Sequence, residues 1–134
     1  MRRVVIDTSV AISAALQPDG VSSKALLAAL FHCQPLVSPD TFSELERVLN
    51  KSKFTNKISD LLKAQFLATI LSRSVMINPV SHVQICRDVN DDMFINLAVD
   101  GNAWAIITRD PDLLALHPCR GIAILSPADF LSEK

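Results

Sequence analysis

The sequence is poor in several residue types whose scarcity restricts its class. It has no tyrosine, three glycines and only 5% aromatic residues, which argues against a module that binds RNA by stacking bases on aromatic rings. Its three cysteines, Cys33, Cys86 and Cys119, lie far apart, and none belongs to a Cys-x-x-Cys pair. This spacing argues against a zinc ribbon or a disulfide framework and favours a reduced, cytoplasmic protein.

Basic and acidic residues are nearly equal in number, and the sequence has no long apolar run. With 13 basic and 14 acidic residues, the net charge is −1, so no basic field covers the molecule as it does in proteins that bind nucleic acid by charge alone. A nucleic-acid enzyme stays possible, because a bound metal can supply positive charge locally. The longest apolar run, residues 25–31, is far shorter than the ~20 residues of a membrane span. We therefore expect no membrane segment and no signal peptide.

Short apolar segments alternate with helical patterns along the 134 residues, a length that suits one domain over 1–134. We predict strands at 4–6, 35–38, 75–77, 105–108 and 122–125, and helices at 22–31, 41–50, 59–71 and 91–100, with a short last helix from 127. Residues 10–16 are apolar and either helical or irregular. This alternation is typical of an α/β fold in which helices cover both faces of a mostly parallel sheet.

Acidic residues cluster at the predicted carboxyl ends of the strands. They are Asp7 after the first strand, Glu44 in the helix after the second, Asp88, Asp91 and Asp92 in the loop before the next long helix, and Asp110 and Asp112 after the fourth. In open α/β sheets, ligands bind at that edge. Because carboxylates that lie close together repel, such a cluster favours a bound cation. Oxygen ligands suit Mg²⁺ or Mn²⁺, which can activate water for phosphodiester hydrolysis.

Several of these acids also have a purely structural interpretation. Thr41 and Glu44 have the spacing of a capping box, Asp91 can be an N-cap, and Asp110 can be a turn residue. Asp7 has no such role evident from the sequence, and we favour a functional one. The metal-site hypothesis therefore depends on the four acids taken together.

Four segments in order resemble the motifs of the PIN-domain family. They are residues 4–10 (VVIDTSV), 43–48 (SELERV), 87–94 (RDVNDDMF) and 107–114 (ITRDPDLL). Their order and spacing match along about residues 3 to 130, and they are similar in particular to the VapC-like toxins of toxin–antitoxin pairs. Each motif alone is weak, but the four together are specific.

The resemblance implies a three-layer α/β/α fold and a ribonuclease that uses Mg²⁺ or Mn²⁺ and leaves 5′ phosphates. By position, the catalytic and metal-binding acids are Asp7, Glu44, Asp91 and Asp110, with Asp112 as a further metal ligand and Ser9, Thr108, Asp88 and Asp92 as accessory residues. The chain departs from the family pattern at three places, where Val89, Asp92 and Arg109 replace a common proline, asparagine and glycine. No catalytic acid is lost.

Two points stay open at this level. Either Asp91 or Asp92 can be the third acid, and we choose Asp91 because Phe94 follows it at the family's spacing. Arg109 can contact an RNA phosphate or pair with a nearby acid.

The expected partners are RNA, an antitoxin protein, and a second copy of the chain in a homodimer or higher homo-oligomer. The apolar helix at 61–71 can contribute to such an interface, although we favour a core role for it. The basic stretch containing Arg47, Lys51, Lys53, Lys57 and Lys63 can steer RNA, although we favour a solvated surface.

Three alternative functions are compatible with this pattern. One is a catalytically idle PIN-fold binding module, and another is a housekeeping RNA-processing nuclease. The third is a receiver-like phosphoacceptor domain, which we disfavour because no lysine ends the fifth predicted strand.

Overall fold

In the computed structural model, which describes residues 1–133, a five-stranded parallel sheet forms the centre of the molecule. The strands are β1 Arg3–Ile6, β2 Gln34–Val37, β3 Val75–Met76, β4 Ala105–Ile107 and β5 Ala123–Leu125, in the order β3-β2-β1-β4-β5. The helices are α1 Thr8–Leu16, α2 Val21–His32, α3 Pro39–Leu49, α4 Asp60–Arg73, α5 Asp92–Asp100, α6 Pro111–Leu114 and α7 Pro127–Ser132. All strand pairs are parallel, which confirms the predicted α/β class.

Neighbouring residues of β1 pack against different helices, because side chains alternate between the two faces of a strand. Val5 belongs to a buried cluster with Leu36 of β2 and Phe94 of α5. Val4 belongs to another cluster with Ala25 of α2 and Phe130 of α7. Helices therefore cover both faces of the sheet, in three layers, and the middle of the central strand, Val4 and Val5, is completely apolar and buried.

The central position of β1 in the sheet places the carboxyl ends of β1 and β4 next to each other. β1 pairs with β4 so that Ile6 lies beside Ile107. The residues that follow, Asp7 and Thr108, leave the sheet side by side at its carboxyl edge, and both are buried.

Helix α3 begins earlier than the sequence pattern predicted, and this changes the interpretation of Glu44. Its N-cap is Ser38, whose hydroxyl accepts a 3.1 Å hydrogen bond from the N–H of Thr41, while Thr41 Oγ1 accepts one of 2.9 Å from the N–H of Ser38. Pro39 occupies the first turn, where its fixed φ favours a helix start. The capping box proposed for Thr41 and Glu44 is therefore wrong, and Glu44 lies in the second turn without a capping role.

Other boundaries differ from the predicted ones by a few residues. Helix α1 begins directly after Asp7, which is in an extended conformation, so residues 10–16 are helical rather than irregular. Helix α2 starts after Gly20 rather than at a serine cap. A 3₁₀ turn at Val89–Asp91 precedes α5, which begins at Asp92.

A segment without regular secondary structure, residues 80–86, is held along α5 by three side chains spaced four residues apart on that helix. We call this segment the strap. Its backbone N–H groups donate hydrogen bonds of 2.6–3.1 Å from Val80 and Ser81 to Asp100, from Val83 to Asn96, and from Ile85 and Cys86 to Asp92. The side chains of α5 thus replace the sheet partner that this segment lacks.

Two further expectations concern the described part of the chain. Within residues 1–133, no helix is long and apolar enough to span a membrane. The cysteines Cys33, Cys86 and Cys119 are free thiols.

Candidate active site

Asp7 is a buried carboxylate at the carboxyl end of β1, only 4% exposed. Its Oδ2 atom accepts two hydrogen bonds of 2.7 Å, from the hydroxyls of Ser9 and Thr108. Burial raises the pKa of Asp7 above its usual value, and the negative charge of Asp110 adds to this, while the two hydroxyls partly offset the rise. The fold therefore keeps an ionisable group where its charged form is costly.

The same two hydroxyls attach the loop after β4 to Asp7. Ser9 Oγ accepts a 3.1 Å hydrogen bond from the N–H of Arg109, and Thr108 Oγ1 accepts one of 3.0 Å from the N–H of Asp110. Asp110 in turn caps α6 by accepting a 2.9 Å bond from the N–H of Asp112. The position of Asp110 relative to Asp7 is thus set by a short chain of hydrogen bonds.

Asp91 adds a third carboxyl group to this point, from the 3₁₀ turn before α5. Burial raises its pKa, and a hydrogen bond with Asp110 and the charges of Asp7, Asp110 and Asp88 raise it further, to about 7. Asp91, Asp7 and Asp110 therefore interact electrostatically, although they come from distant stretches of the chain.

The remaining predicted acids have other partners in the structure. Glu44 is half-buried on α3 and pairs with Arg47 one turn later. The side chain of Asp112 is 51% exposed, and its Oδ1 atom lies 3.7 Å from Nη1 of Arg87. Asp88 caps the 3₁₀ turn through a 2.9 Å bond from the N–H of Asn90.

Asp92 differs from its neighbour Asp91 in environment. It is 7% exposed, and its Oδ1 atom accepts the strap's N–H groups of Ile85 and Cys86. Burial raises the pKa of Asp92, but these bonds outweigh it, and the net pKa is below its usual value. The ionised carboxylate of Asp92 holds the strap, while Asp91 interacts with Asp110.

Sequence reasoning missed the two other residues that hold the strap, Asn96 and Asp100. The sequence did contain a pattern that points to these residues. Polar acceptors recur at every fourth position of α5, which is otherwise apolar, and therefore lie on one face of the helix. The partner segment has no regular pattern of its own, so nothing in its sequence pointed to them.

The donor set of the site fits a divalent cation by its chemistry. Its donors are carboxylate oxygens, which Mg²⁺ and Mn²⁺ prefer. A cation would offset both the burial and the repulsion between carboxylates that raise the pKa of Asp91. Within residues 1–133, no three acidic, histidine or cysteine side chains are close enough together to bind one ion directly. The carboxyl groups of Asp7 and Asp110 nevertheless lie near enough to Asp91 to raise its pKa.

Comparisons with known proteins agree with this architecture. The family profile described as PIN domain matches residues 3–112. The chain is 37% identical over 121 residues to the uncharacterized protein MJ1680 of Methanocaldococcus jannaschii, covering 86% of this chain and 75% of that protein.

Two solved structures share the fold at low sequence identity. VapBC2 from Rickettsia felis, bound to a DNA fragment from their promoter, superposes with a TM-score of 0.63 at 16% identity, covering 92% of this chain and 98% of that chain. PAE2754 from Pyrobaculum aerophilum superposes with a TM-score of 0.65 at 14% identity, covering 98% and 91%. With the family profile covering most of its length, the chain belongs to the PIN-domain family, whose members are generally nucleases.

Proposed function

We propose that this protein is a divalent-metal-dependent endoribonuclease and the toxin of a toxin–antitoxin pair. The observation that carries the proposal is the convergence of three carboxyl groups at the carboxyl edge of the sheet, those of Asp7, Asp91 and Asp110. Burial, and then the neighbouring acids, raise the pKa of Asp91 to about 7. Groups that perturb one another in this way at a sheet edge are typical of functional sites. Membership of the PIN-domain family supports the same conclusion.

Each residue of the site has a proposed task. The metal ion, Mg²⁺ or Mn²⁺, is held by Asp7, Asp91 and Asp110. Glu44 binds the ion directly or through a water molecule, and Asp112 is a further ligand. The hydroxyls of Ser9 and Thr108 orient the carboxylate of Asp7. When bound, the cation lowers the pKa of water and stabilises the departing 3′ oxygen.

The proposed substrate is single-stranded or flexible RNA. The deep major groove of A-form RNA prevents side chains from reading paired bases. An unpaired strand adapts its backbone to the carboxyl edge of the sheet, where the carboxylate of Asp7 is only 4% exposed.

The test is cleavage of single-stranded RNA by the purified chain. We expect cleavage with Mg²⁺ or Mn²⁺, none in EDTA, and products carrying a 5′ phosphate. Absence of cleavage with either ion would contradict the nuclease proposal. A metal titration would then separate an idle binding module that retains the ion from a protein with no metal site.

The antitoxin partner is proposed from a groove on the face of the molecule formed by α1, α2 and α4. This groove encloses about 510 Å³ and is mainly apolar, with Leu26 and Phe66 in its lining. Leu27 and Leu62, at its rim, are 52% and 56% exposed. The core role favoured for α4 therefore holds for its inner face, including Ile70, but not for Leu62. The neighbour VapBC2 is a complex of this kind by its name.

The partner proposal is tested separately from cleavage. A small protein encoded next to this chain, produced with it, should bind and inhibit it. Leu27→Asp and Leu62→Asp should abolish binding and leave RNA cleavage intact. If no neighbouring protein inhibits cleavage, the housekeeping nuclease is favoured; if the same substitutions instead dissociate a dimer in light scattering, the groove joins two copies of this chain.

A further inference from the structure

A cavity of about 270 Å³ lies beside Asp7, between α1, the end of α3 and the 3₁₀ turn Ser52–Phe54. Its polar lining consists of Thr8, Ser9, Ser13, Gln17, Lys53 and Arg109. It adjoins the acidic cluster directly, because Ser9 both lines the cavity and donates the 2.7 Å bond to Asp7 through its Oγ atom. The backbone N–H of Arg109 also bonds to that oxygen, at 3.1 Å.

The two cations of the cavity come from distant parts of the chain and have no acidic partner among the described residues. Lys53 precedes Phe54 in the 3₁₀ turn, and Arg109 follows β4. Both side chains are exposed, and within residues 1–133 neither forms an ion pair. The alternative that Arg109 pairs with a nearby acid is therefore not observed.

The basic stretch identified in the sequence separates into unlike parts in the fold. Lys63 is 6% exposed, Arg47 pairs with Glu44, and Lys57 lines the apolar groove of α1, α2 and α4. Lys53 is the member of this stretch that lines the cavity beside Asp7.

A second cavity at the carboxyl edge is lined in part by acidic side chains. It encloses about 430 Å³ between the start of α3, the strap and α5, and its lining includes Asp40 and Asp92. Among the described residues that line it, none is a lysine or arginine. Conversely, no described residue lining the smaller cavity is acidic. A polyanion that reaches the acidic cluster is therefore attracted to the side of Lys53 and Arg109 and repelled from the other.

We propose that the cavity of Lys53 and Arg109 binds an RNA phosphate next to the one that is cleaved. This inference rests on the proposed ribonuclease function, and it adds the side of the acidic cluster over which the RNA strand runs. The guanidinium and ammonium groups supply charge and donors, and the hydroxyl of Ser13 and the amide of Gln17 are further polar groups in the lining. The apolar wall, Ile12, Val48 and Phe54, suits the sugar of the same nucleotide.

The experiment compares cleavage of single-stranded RNA by three proteins in Mn²⁺. These are the wild type, the double variant Lys53→Gln/Arg109→Gln, and the control Lys24→Gln. Lys24 is exposed on α2, and its substitution removes a like charge away from the cavity. All substitutions are at exposed side chains, so melting curves should be alike. We expect KM of the double variant to rise about fivefold for each cation removed, the upper range for exposed ion pairs, with kcat within about twofold.

A second arm identifies the phosphate concerned. RNAs carrying one uncharged methylphosphonate linkage are cleaved by wild type and double variant. In the wild type, the linkage adjacent to the cut should raise KM; in the double variant, the same linkage should have no further effect. The dependence of log KM on log salt should also become shallower, by about 0.7 for each phosphate that the variant no longer neutralises.

The possible outcomes separate this inference from the function on which it rests. If the wild type cleaves no RNA, the ribonuclease proposal itself fails. If the wild type cleaves and the double variant matches Lys24→Gln, the phosphate site is overturned while the nuclease stands. A rise in KM that is insensitive to the position of the uncharged linkage also overturns it, because the cations then act only as general charge.

Discussion

The hydroxyl of Thr108 donates a 2.7 Å hydrogen bond to Oδ2 of Asp7, joining the ends of the two central strands. The bond forms because Ile6 and Ile107 are paired in the sheet, so the next residue of each strand emerges at the same height. Both residues are buried, Thr108 completely. The carboxylate proposed to be catalytic is thereby held at the centre of the sheet.

Asp7→Asn should reduce metal-dependent RNA cleavage by at least about a hundredfold, the upper end of the loss seen when a group supporting a metal ligand is removed. The amide oxygen can still accept the bonds from Ser9 and Thr108, so we expect the melting temperature to be retained or raised, since burial penalises the original charge. Steady-state cleavage and thermal unfolding measure the two effects. Asp19→Asn, at an exposed turn residue, is the matched control. Full activity of Asp7→Asn would contradict the assigned role of Asp7.

The stability of the metal-free protein should fall as the pH rises from about 4 to about 7. Asp91 has its usual pKa, 3.8, in the unfolded chain and about 7 in the folded one, so between these values the folded state binds more protons. The contribution of Asp91 to stability is therefore greatest below this range and is lost as pH rises through it. Melting temperatures in EDTA across this range measure the slope.

Asp91→Asn should make that pH slope shallower, because the amide does not ionise, whereas Asp19→Asn should leave it unchanged. Equal slopes in the wild type and Asp91→Asn would show that Asp91 does not titrate in this range.

Mn²⁺ should raise the melting temperature of the wild type. An ion that binds only the folded state at a hundredfold excess over its dissociation constant stabilises by about 2.7 kcal/mol, which for a chain of this size is a shift of roughly 10 °C. Asp7→Asn should show a smaller shift because one proposed ligand is removed. Superimposable melting curves in Mn²⁺ and EDTA would count against tight ion binding.

Asp92→Ala should cost about 2 kcal/mol of the free energy of unfolding, because the N–H groups of Ile85 and Cys86 lose their acceptor. Asp92→Asn keeps an acceptor oxygen and should lose less. Urea unfolding measures the difference, and faster hydrogen exchange confined to residues 80–86 would show that the strap is released. If Asp92→Ala is as stable as the wild type, the strap is held by other interactions.

Much of the fold was predictable because its signals are local. The run Val4–Ile6 is β-branched and ends at Asp7, and it forms the central strand. The α/β class followed from similar runs alternating with helical patterns. The predicted start of α3 was wrong, because Ser38 and Thr41 offered a capping box as good as that of Thr41 and Glu44, and both are compatible with the same sequence.

The candidate site could be predicted only in part from the sequence. Asp7, Asp91 and Asp110 were named from their positions at strand and helix ends, and the structure brings these three into electrostatic contact. The pairing of Glu44 with Arg47 and the capping by Asp88 fit local spacing rules, but the same residues also fit the acidic motifs, and only the structure showed these contacts. Their role at the metal stays a prediction.

The sequence by itself determined the layered α/β class, the family and the acids at the sheet edge, because hydrophobic periodicity and short motifs are properties of neighbouring residues. Only the tertiary structure decided that Asp92 binds the strap and that Lys53 and Arg109 line one cavity. The strand order β3-β2-β1-β4-β5 and the packing of α1 against α3 bring these groups together. Such proximity arises from contacts between residues far apart in the chain, whose partners depend on how the whole core packs.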